Sequence, residues 1–455
     1  MSDPLRELIA DRIRSTGPIS LAEFMMLSLY HPSYGYYARA SRRTGRAGDF
    51  FTSVDVGPVF GELLARQFAE MSEIVWQNQS PIPDPSPPTS SPEPGRRSSA
   101  LGEGGRPKLS PVEASQQPQA LPESPFFDLV EAGAGSGRLA RDVLDAAARH
   151  HPELYRTLRL HLVEIAPAAR ALQLETLGPH ASKLVSSTDS IPDSVNGVIF
   201  ANELLDALPT HAVVMKEEGL REMFVALGDG AVGNPEFIEY EREPSTPDLE
   251  QYLERAGVRL EPGWRAEINL VAPEWVRQAA GALHRGFLML VDYGHDAAEL
   301  YSATHSAGTL ATFQRHASGG RASLLQDPGE HDITAHVDLM TVTRAAEAAG
   351  LVTLGRLDQT YFLLGLGLAE MLDGPFDFAQ GRPFDSQQKP FDSAHGRPVD
   401  SAQSMAFDPT ALKTRLALKT LILPGGLGST LKVLIFGKDV GTPKLRGLSC
   451  GTRLT

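Results

Sequence analysis

The sequence predicts an α/β protein in which a mostly parallel sheet is covered by helices on both faces and preceded by a helical segment. Three observations predict it. Short apolar runs alternate with amphipathic helical patterns through the middle of the chain, as strands buried on both faces require. A glycine-rich turn, Glu131-Ala-Gly-Ala-Gly-Ser-Gly137, joins one run to a helix. An acid, Glu164, stands at the tip of the next run.

The elements follow in order. Pro4 favours a first helical turn, Leu5, Leu8, Ile9 and Ile13 form one stripe, and Gly17 stops it. Ser20 and Glu23 make a capping-box pattern ahead of Phe24, Met25, Leu27 and Leu29. A third helix carries Phe60, Leu63, Leu64, Phe68 and Met71 on its buried side. Strands are expected at 126–131, 160–165, 198–201 and 287–292, and helices at 138–149, 167–177 and 337–350. Val213–Val214 and Met223–Leu227, separated by Glu217-Glu218-Gly219, read as a hairpin added at the side. The run Leu431–Phe436 reads as a late strand completing the sheet edge, and the last residues as a tail.

Two stretches depart from this pattern. Residues 77–125 hold 12 of the 34 prolines, so the segment has too little apolar surface to offset its ordering entropy and reads as a disordered insertion. In 374–404 the run Pro375–Pro383 recurs imperfectly as Pro390–Pro398, which reads as a low-complexity loop, since two copies are too few for a solenoid. The organisation is therefore a helical segment (1–76), an insertion (77–125), a core with an inserted hairpin and helices (126–373), a second insertion (374–404), a helix and strand of the core (405–440) and a tail (441–455).

Composition narrows the function. The 455 residues carry a formal charge of −14 with no basic cluster, which argues against nucleic acid and suits a basic partner. Cys450 is the single cysteine, so neither an intrachain disulfide nor a cysteine-based zinc site is available. The beginning of the chain lacks the features of a signal or transit peptide, and no apolar run is long enough to span a membrane. A cytoplasmic location is expected.

The glycine turn is the first chemical signal. Glycines between a buried strand and a helix allow a tight turn and let a ligand approach the backbone. The dinucleotide pattern G-x-G-x-x-G fails from Gly133, where the third position is Arg138; from Gly135 it meets Ala140, a residue that the pattern sometimes accepts there, so that reading stays open. The pattern E-x-G-x-G-x-G suits S-adenosylmethionine, whose amino-acid end meets the loop without a pyrophosphate to cradle. Glu131, Gly133, Gly135 and Gly137 are the expected loop contacts, and Glu164 the acceptor for the ribose hydroxyls.

Further motifs accompany the loop in order: His31-Pro-Ser-Tyr-Gly-Tyr-Tyr37, Gly48-Asp49-Phe50-Phe-Thr52-Ser53, Phe60-Gly-Glu-Leu63 and His161-Leu-Val-Glu164. They continue with Asn202-Glu203-Leu-Leu-Asp206-Ala-Leu-Pro209, Val291-Asp292-Tyr-Gly-His295 and Pro328-Gly-Glu-His-Asp332-Ile-Thr-Ala-His336-Val-Asp338. With these the chain resembles the MidA family of methyltransferases through most of its length outside the two insertions. Phe51 and Val54-Asp55 depart from the family pattern. The resemblance implies a class I, Rossmann-like methyltransferase sheet with added α/β elements that bind the acceptor. It also implies protein-arginine methylation, with a partner protein bearing the arginine; a respiratory-complex subunit is one candidate.

A guanidinium acceptor sets a chemical condition. Its pKa lies above about 12, so carboxylates must hold the fork and accept the departing proton. Glu203 and Asp206 follow the strand at 198–201 and are the expected catalytic acids, with Asn202 a polar contact to cofactor or substrate. The competing reading is that Asn202 or Asp206 caps a helix starting at Leu204. Asp292 would orient the acceptor, Tyr293 wall the cleft and His295 relay a proton. Asp49 and Thr52 lie in a loop expected to fold over the cofactor; alternatively that loop is a helix N-terminus capped by Ser53 or Asp55. His316, His331, His336 and Asp332 match no metal-binding spacing, so no metal is expected. Two other functions stay open: methylation of a small molecule, and a non-catalytic assembly factor that binds adenosylmethionine.

Overall fold

A computed structural model describes residues 4–40, 52–77, 126–229, 235–314, 317–319, 323–373, 376–377, 382–383 and 430–450. Asp49, most of the 77–125 and 374–404 insertions, and the helix expected after 405 lie outside the described residues.

The central sheet contains strands β1 (Phe127–Ala132), β2 (Leu158–Val163), β3 (Leu184–Thr188), β4 (Val195–Asn202), β5 (Leu283–His295), β6 (Val352–Asp358) and β7 (Leu431–Lys438). Their spatial order is β6-β7-β5-β4-β1-β2-β3, and the short strand Val337–Asp338 pairs with the end of β5. The run β5-β4-β1-β2-β3 is parallel; β7 is antiparallel to both neighbours. The α/β class expected from the sequence is the one observed. β7 does not complete an edge as expected, because it inserts between β5 and β6. β3, Leu-Val-Ser-Ser-Thr, was not legible as a strand: it lies at the sheet edge, half-exposed, and has no apolar run.

Helices cover both faces. On one side α3 (Pro58–Gln77) and α4 (Arg138–His150) pack on Leu129, Leu160, Val198, Phe200 and Met289. Gly61 lets α3 approach α4, since a Cβ there would stand 2.6 Å from the Asp142 Cβ. On the other side α6 (Val271–Ala282) and α7 (Leu339–Ala348) pack on Val130, Ile199, Leu288 and Phe436. Adjacent residues such as Leu129 and Val130 in β1, or Ile199 and Phe200 in β4, face opposite layers, so these strands present apolar residues to both sides. α5 (Pro167–Leu177) follows β2, with a proline at its first turn.

Of the first two helices, α1 (Pro4–Thr16) begins and ends, and α2 (Leu21–Tyr30) begins, where the sequence places them. Gly17 closes α1 with φ 83°, and the Ser20 side chain accepts the Glu23 amide at 3.2 Å. Both helices pack on a second, five-stranded antiparallel sheet built on the expected hairpin, His211–Lys216 with Gly219–Leu227. The helix Asp248–Ala256 covers its other face. This sheet and α2 form the added module beside the carboxyl edge of the main sheet.

The expected tail is partly core. Leu445 is buried, the Gly447 amide donates to Gln67 Oε1 at 3.1 Å, and a Cβ on Gly447 would collide with the Phe362 ring. These contacts fix residues 441–450 against α3. Among the described residues no helix is long and apolar enough to cross a membrane.

Candidate active site

The chain runs from β1 outward to β2 and β3, then returns to β4 on the other side of β1. The crevice at such a reversal, outside the carboxyl ends of the strands, is where open α/β sheets bind ligands. The glycine loop leaves β1 and the Asn202-Glu203 turn leaves β4, so the fold brings the two strongest sequence signals side by side.

The glycines are required by conformation. Gly133, Gly135 and Gly137 have φ 71°, 51° and 83°, in the left-handed region that side-chain-bearing residues rarely adopt. A Cβ at Gly133 would press on Leu204 at 3.1 Å and one at Gly137 on Leu162 at 3.2 Å. A Cβ at Gly135 would meet nothing within 4 Å, so the middle of the loop borders open space. Gly137 leads into α4, and the Ala140 amide in its first turn bonds the Glu131 carboxylate.

Glu164, at the tip of β2, shapes the same loop. Its Oε2 accepts the Gly135 amide and its Oε1 the Ala166 amide, both at 2.8 Å. Burial pushes its pKa up, and those two amides oppose the shift. Each oxygen retains a lone pair for a hydroxyl donor. Glu131 is enclosed at the end of β1, and burial raises it to about 8.

Opposite the loop, Glu203 adopts φ 53°, an uncommon conformation for a residue with a side chain. Its Oε1 accepts the Asn202 side-chain amide at 2.9 Å and the Ser53 amide at 3.4 Å. Its Oε2 and the Asn202 Oδ1 are enclosed without a hydrogen-bond partner. Burial pushes Glu203 up to about 8, helped by the charges of Asp292 and Asp55. Asp206 is buried in the next turn, and burial with Asp292, Glu203 and Asp332 around it holds its carboxyl well above the usual range.

No helix starts at Leu204: residues 203–210 form bends and turns, so neither Asn202 nor Asp206 is a helix cap. Asp292 shapes that turn. Its Oδ2 accepts the Leu205 amide at 2.7 Å and the Leu204 amide at 3.1 Å, and its Oδ1 accepts the Tyr293 amide at 2.9 Å. Both oxygens of Asp292 thus accept backbone amides, which gives it a positioning role in the turn. Burial still raises it to about 7.

Thr52 begins a short turn, Ser53–Val56, and both its amide and hydroxyl donate to Asp55 Oδ2. Arg138, the first residue of α4, donates to Asp55 Oδ1 at 2.7 Å and to the Val54 carbonyl at 2.9 Å. The turn therefore links the glycine-loop helix to Glu203. Thr52 stands at the capping position of this turn, where the alternative reading placed Ser53 or Asp55.

The added module supplies two tyrosines that the sequence reading did not single out. Tyr30 donates to the Ala207 carbonyl and Tyr37 to Asp332 Oδ1, each at 2.9 Å. Their rings stand 5.3 Å apart, walling the acidic turn. The motif His31–Tyr37 follows Tyr30 and ends on Tyr37 but carries no spacing that reveals so distant a partner. The histidines also group differently from expectation. His316 lies outside the described residues, and His331 stands near Asp327. His336 gathers with His295 and His305. Burial, with those two rings, pushes His336 down to about 4.

Known proteins agree with this arrangement. Residues 112–357 match a family model described as an S-adenosyl-L-methionine-dependent methyltransferase. The chain is 26% identical to the mouse protein arginine methyltransferase NDUFAF7, mitochondrial, over 85% of this chain and 79% of that protein. It is 27% identical to the Drosophila melanogaster homologue, over 79% and 74%. A COG1565 superfamily member from Burkholderia thailandensis, crystallised with S-adenosyl-homocysteine, superposes with TM-score 0.72 at 25% identity, covering 98% of this chain and 95% of that one. The residues present fit such a cofactor: a glycine loop open at Gly135, an acid at the β2 tip, and an enclosed Asn202 Oδ1 without a partner. The chain belongs to the MidA family of S-adenosyl-L-methionine-dependent methyltransferases, enzymes with S-adenosyl-L-methionine as cofactor.

Proposed function

We propose that the methyl acceptor is an arginine side chain of a partner protein, held and deprotonated by Glu203 with Asp206 beside it. One observation carries the reading: Glu203 presents an enclosed Oε2 without a partner, in a left-handed turn beside a second buried acid. Carboxyls raised by burial and mutual repulsion gain most when a cation arrives, because it removes both penalties. A guanidinium supplies that charge and a planar set of donors that matches a carboxylate. The naming of the curated relatives as protein arginine methyltransferases supports the same acceptor.

The cofactor supplies a methyl group already activated on a sulfonium. The chain supplies orientation and a proton acceptor. Glu203 Oε2 would accept one N–H of the fork and take its proton as that nitrogen gains the methyl group, whose bond to the cofactor's sulfur would break to leave a neutral thioether. Asn202 holds Oε1 and fixes the carboxylate plane. Asp292 keeps the turn in shape through three backbone amides. Glu131, Gly133, Gly135, Gly137 and Glu164 form the cofactor side, and the turn at Thr52 shields the crevice from water.

The partner is a protein without nucleic-acid character, and cytoplasmic residence is part of the proposal, tested by fractionation. The deciding experiment is transfer of labelled methyl from S-adenosylmethionine to host proteins, with peptide mapping. Label on arginine that disappears in Glu203→Gln, while calorimetry shows cofactor binding intact, supports the reading. Label recovered only in small molecules, or unchanged in Glu203→Gln, overturns it.

A further inference from the structure

We propose that His295, His305 and His336 form a three-imidazole site for a divalent transition metal, zinc by its ligand chemistry, at the edge of the acceptor crevice. The histidines come from separate segments: the end of β5, the short turn Ala303–His305, and the residue before the strand Val337–Asp338. Their ring centroids stand 4.7, 5.1 and 6.0 Å apart. One ring nitrogen of each lies within 4.8 Å of the other two. Zinc holds imidazole nitrogens at about 2.0–2.1 Å, so small ring rotations bring all three onto one ion.

The surroundings set the rings for ligation. His305 Nδ1 donates to the Glu299 carbonyl at 3.0 Å, and His295 Nδ1 faces the Glu299 carboxylate at 3.2 Å. Both contacts place the proton on Nδ1 and leave Nε2 with a free lone pair, as in histidines whose outer hydrogen bond orients a metal ligand. His336 Nδ1 is enclosed without a hydrogen-bond partner. No hydrogen bond links the three rings to one another, so a proton relay among them lacks its connections. Three imidazoles leave a coordination position for water. A bound ion would tie the 296–305 segment to the end of β5 and to the backbone before Val337, one residue from the Ala335 amide that donates to the Asp206 carbonyl at 2.9 Å.

The test uses untagged full-length protein stripped with a chelator and titrated with Co²⁺, read by its visible ligand-field band, and then with Zn²⁺ by equilibrium dialysis. One equivalent per chain is expected. Binding should weaken by about 100-fold in His305→Asn and by about tenfold in Glu299→Gln. His305 sits in a half-exposed turn, and a retained calorimetric signal for S-adenosylmethionine verifies that each variant is folded. Absence of saturable binding, or equal affinity in wild type and His305→Asn, overturns the proposal. Methyl transfer does not enter these readouts, so the result stands apart from the identity of the acceptor.

Discussion

The two sides of the crevice use carboxylates in opposite ways. On the cofactor side, Glu164 spends both oxygens on backbone amides and thereby sets the shape of the glycine loop. On the acceptor side, Glu203 keeps one enclosed oxygen without a partner and sits in an uncommon backbone conformation. One side is finished before any ligand arrives; the other is complete only when a donor comes. Buried polar groups are costly when unpaired, so such an atom marks where binding energy is gained. Asp292 lies between these cases: it is on the acceptor side, yet it is satisfied like Glu164.

This contrast is broken most severely by Gly135→Val. A Cβ there meets no atom within 4 Å, so the core is undisturbed, but valine at φ 51° strains the loop and projects into the open space beside it, and cofactor affinity falls by about 100-fold or more. Calorimetry checks it, and unchanged affinity would remove the loop from the cofactor site. Next comes Glu203→Gln, expected to lower methyl transfer by about 100-fold with cofactor affinity within about twofold, because only the proton acceptor is lost. Equal loss of binding would place Glu203 on the cofactor side instead. Asp292→Asn should act through stability, lowering it by about 2 kcal/mol in denaturant unfolding, since an amide cannot accept from three backbone donors as a carboxylate does. A kinetic defect at unchanged stability would return Asp292 to the acceptor.

The smallest effect expected is on pH dependence. Burial raises Glu131 and Glu203 to about 8 and Asp292 to about 7. Folded pKa values above the unfolded ones mean that the native state holds more protons in this window, so stability falls as pH rises from about 6.5 to about 8.5. Thermal melts of the cofactor-free protein should follow that slope. The added stability from S-adenosylmethionine, whose sulfonium favours the ionised acids, should be larger at the upper pH. A flat profile would show that these carboxyls stay hydrated.

Much of the framework was legible because it is locally encoded. The stripe Leu5-Ile9-Ile13, the Ser20–Glu23 cap and the two-sided apolar strands each state a backbone preference within a few residues. Boundaries moved where burial continued past the apolar run, as in β5, which extends through Tyr293 and Gly294 to His295. The acidic turn was also legible, since Glu203 and Asp206 directly follow β4. What their neighbours do was not. The Thr52 turn is held by Arg138, and Tyr37 reaches Asp332, across separations that no local pattern records.

By itself the sequence determined the alternation of strands and helices, the glycine loop and the presence of an acid at the tips of β2 and β4. Each follows from glycine's access to positive φ or from the period of apolar side chains. Only the tertiary structure decided that β7 inserts between β5 and β6, that residues 441–450 pack on α3, and that Asp292 supports a turn. It alone brought His295, His305 and His336 together. The reason is the same in each case: hydrogen bonds and close packing act between groups a few ångströms apart, and chain separation does not say which groups those will be.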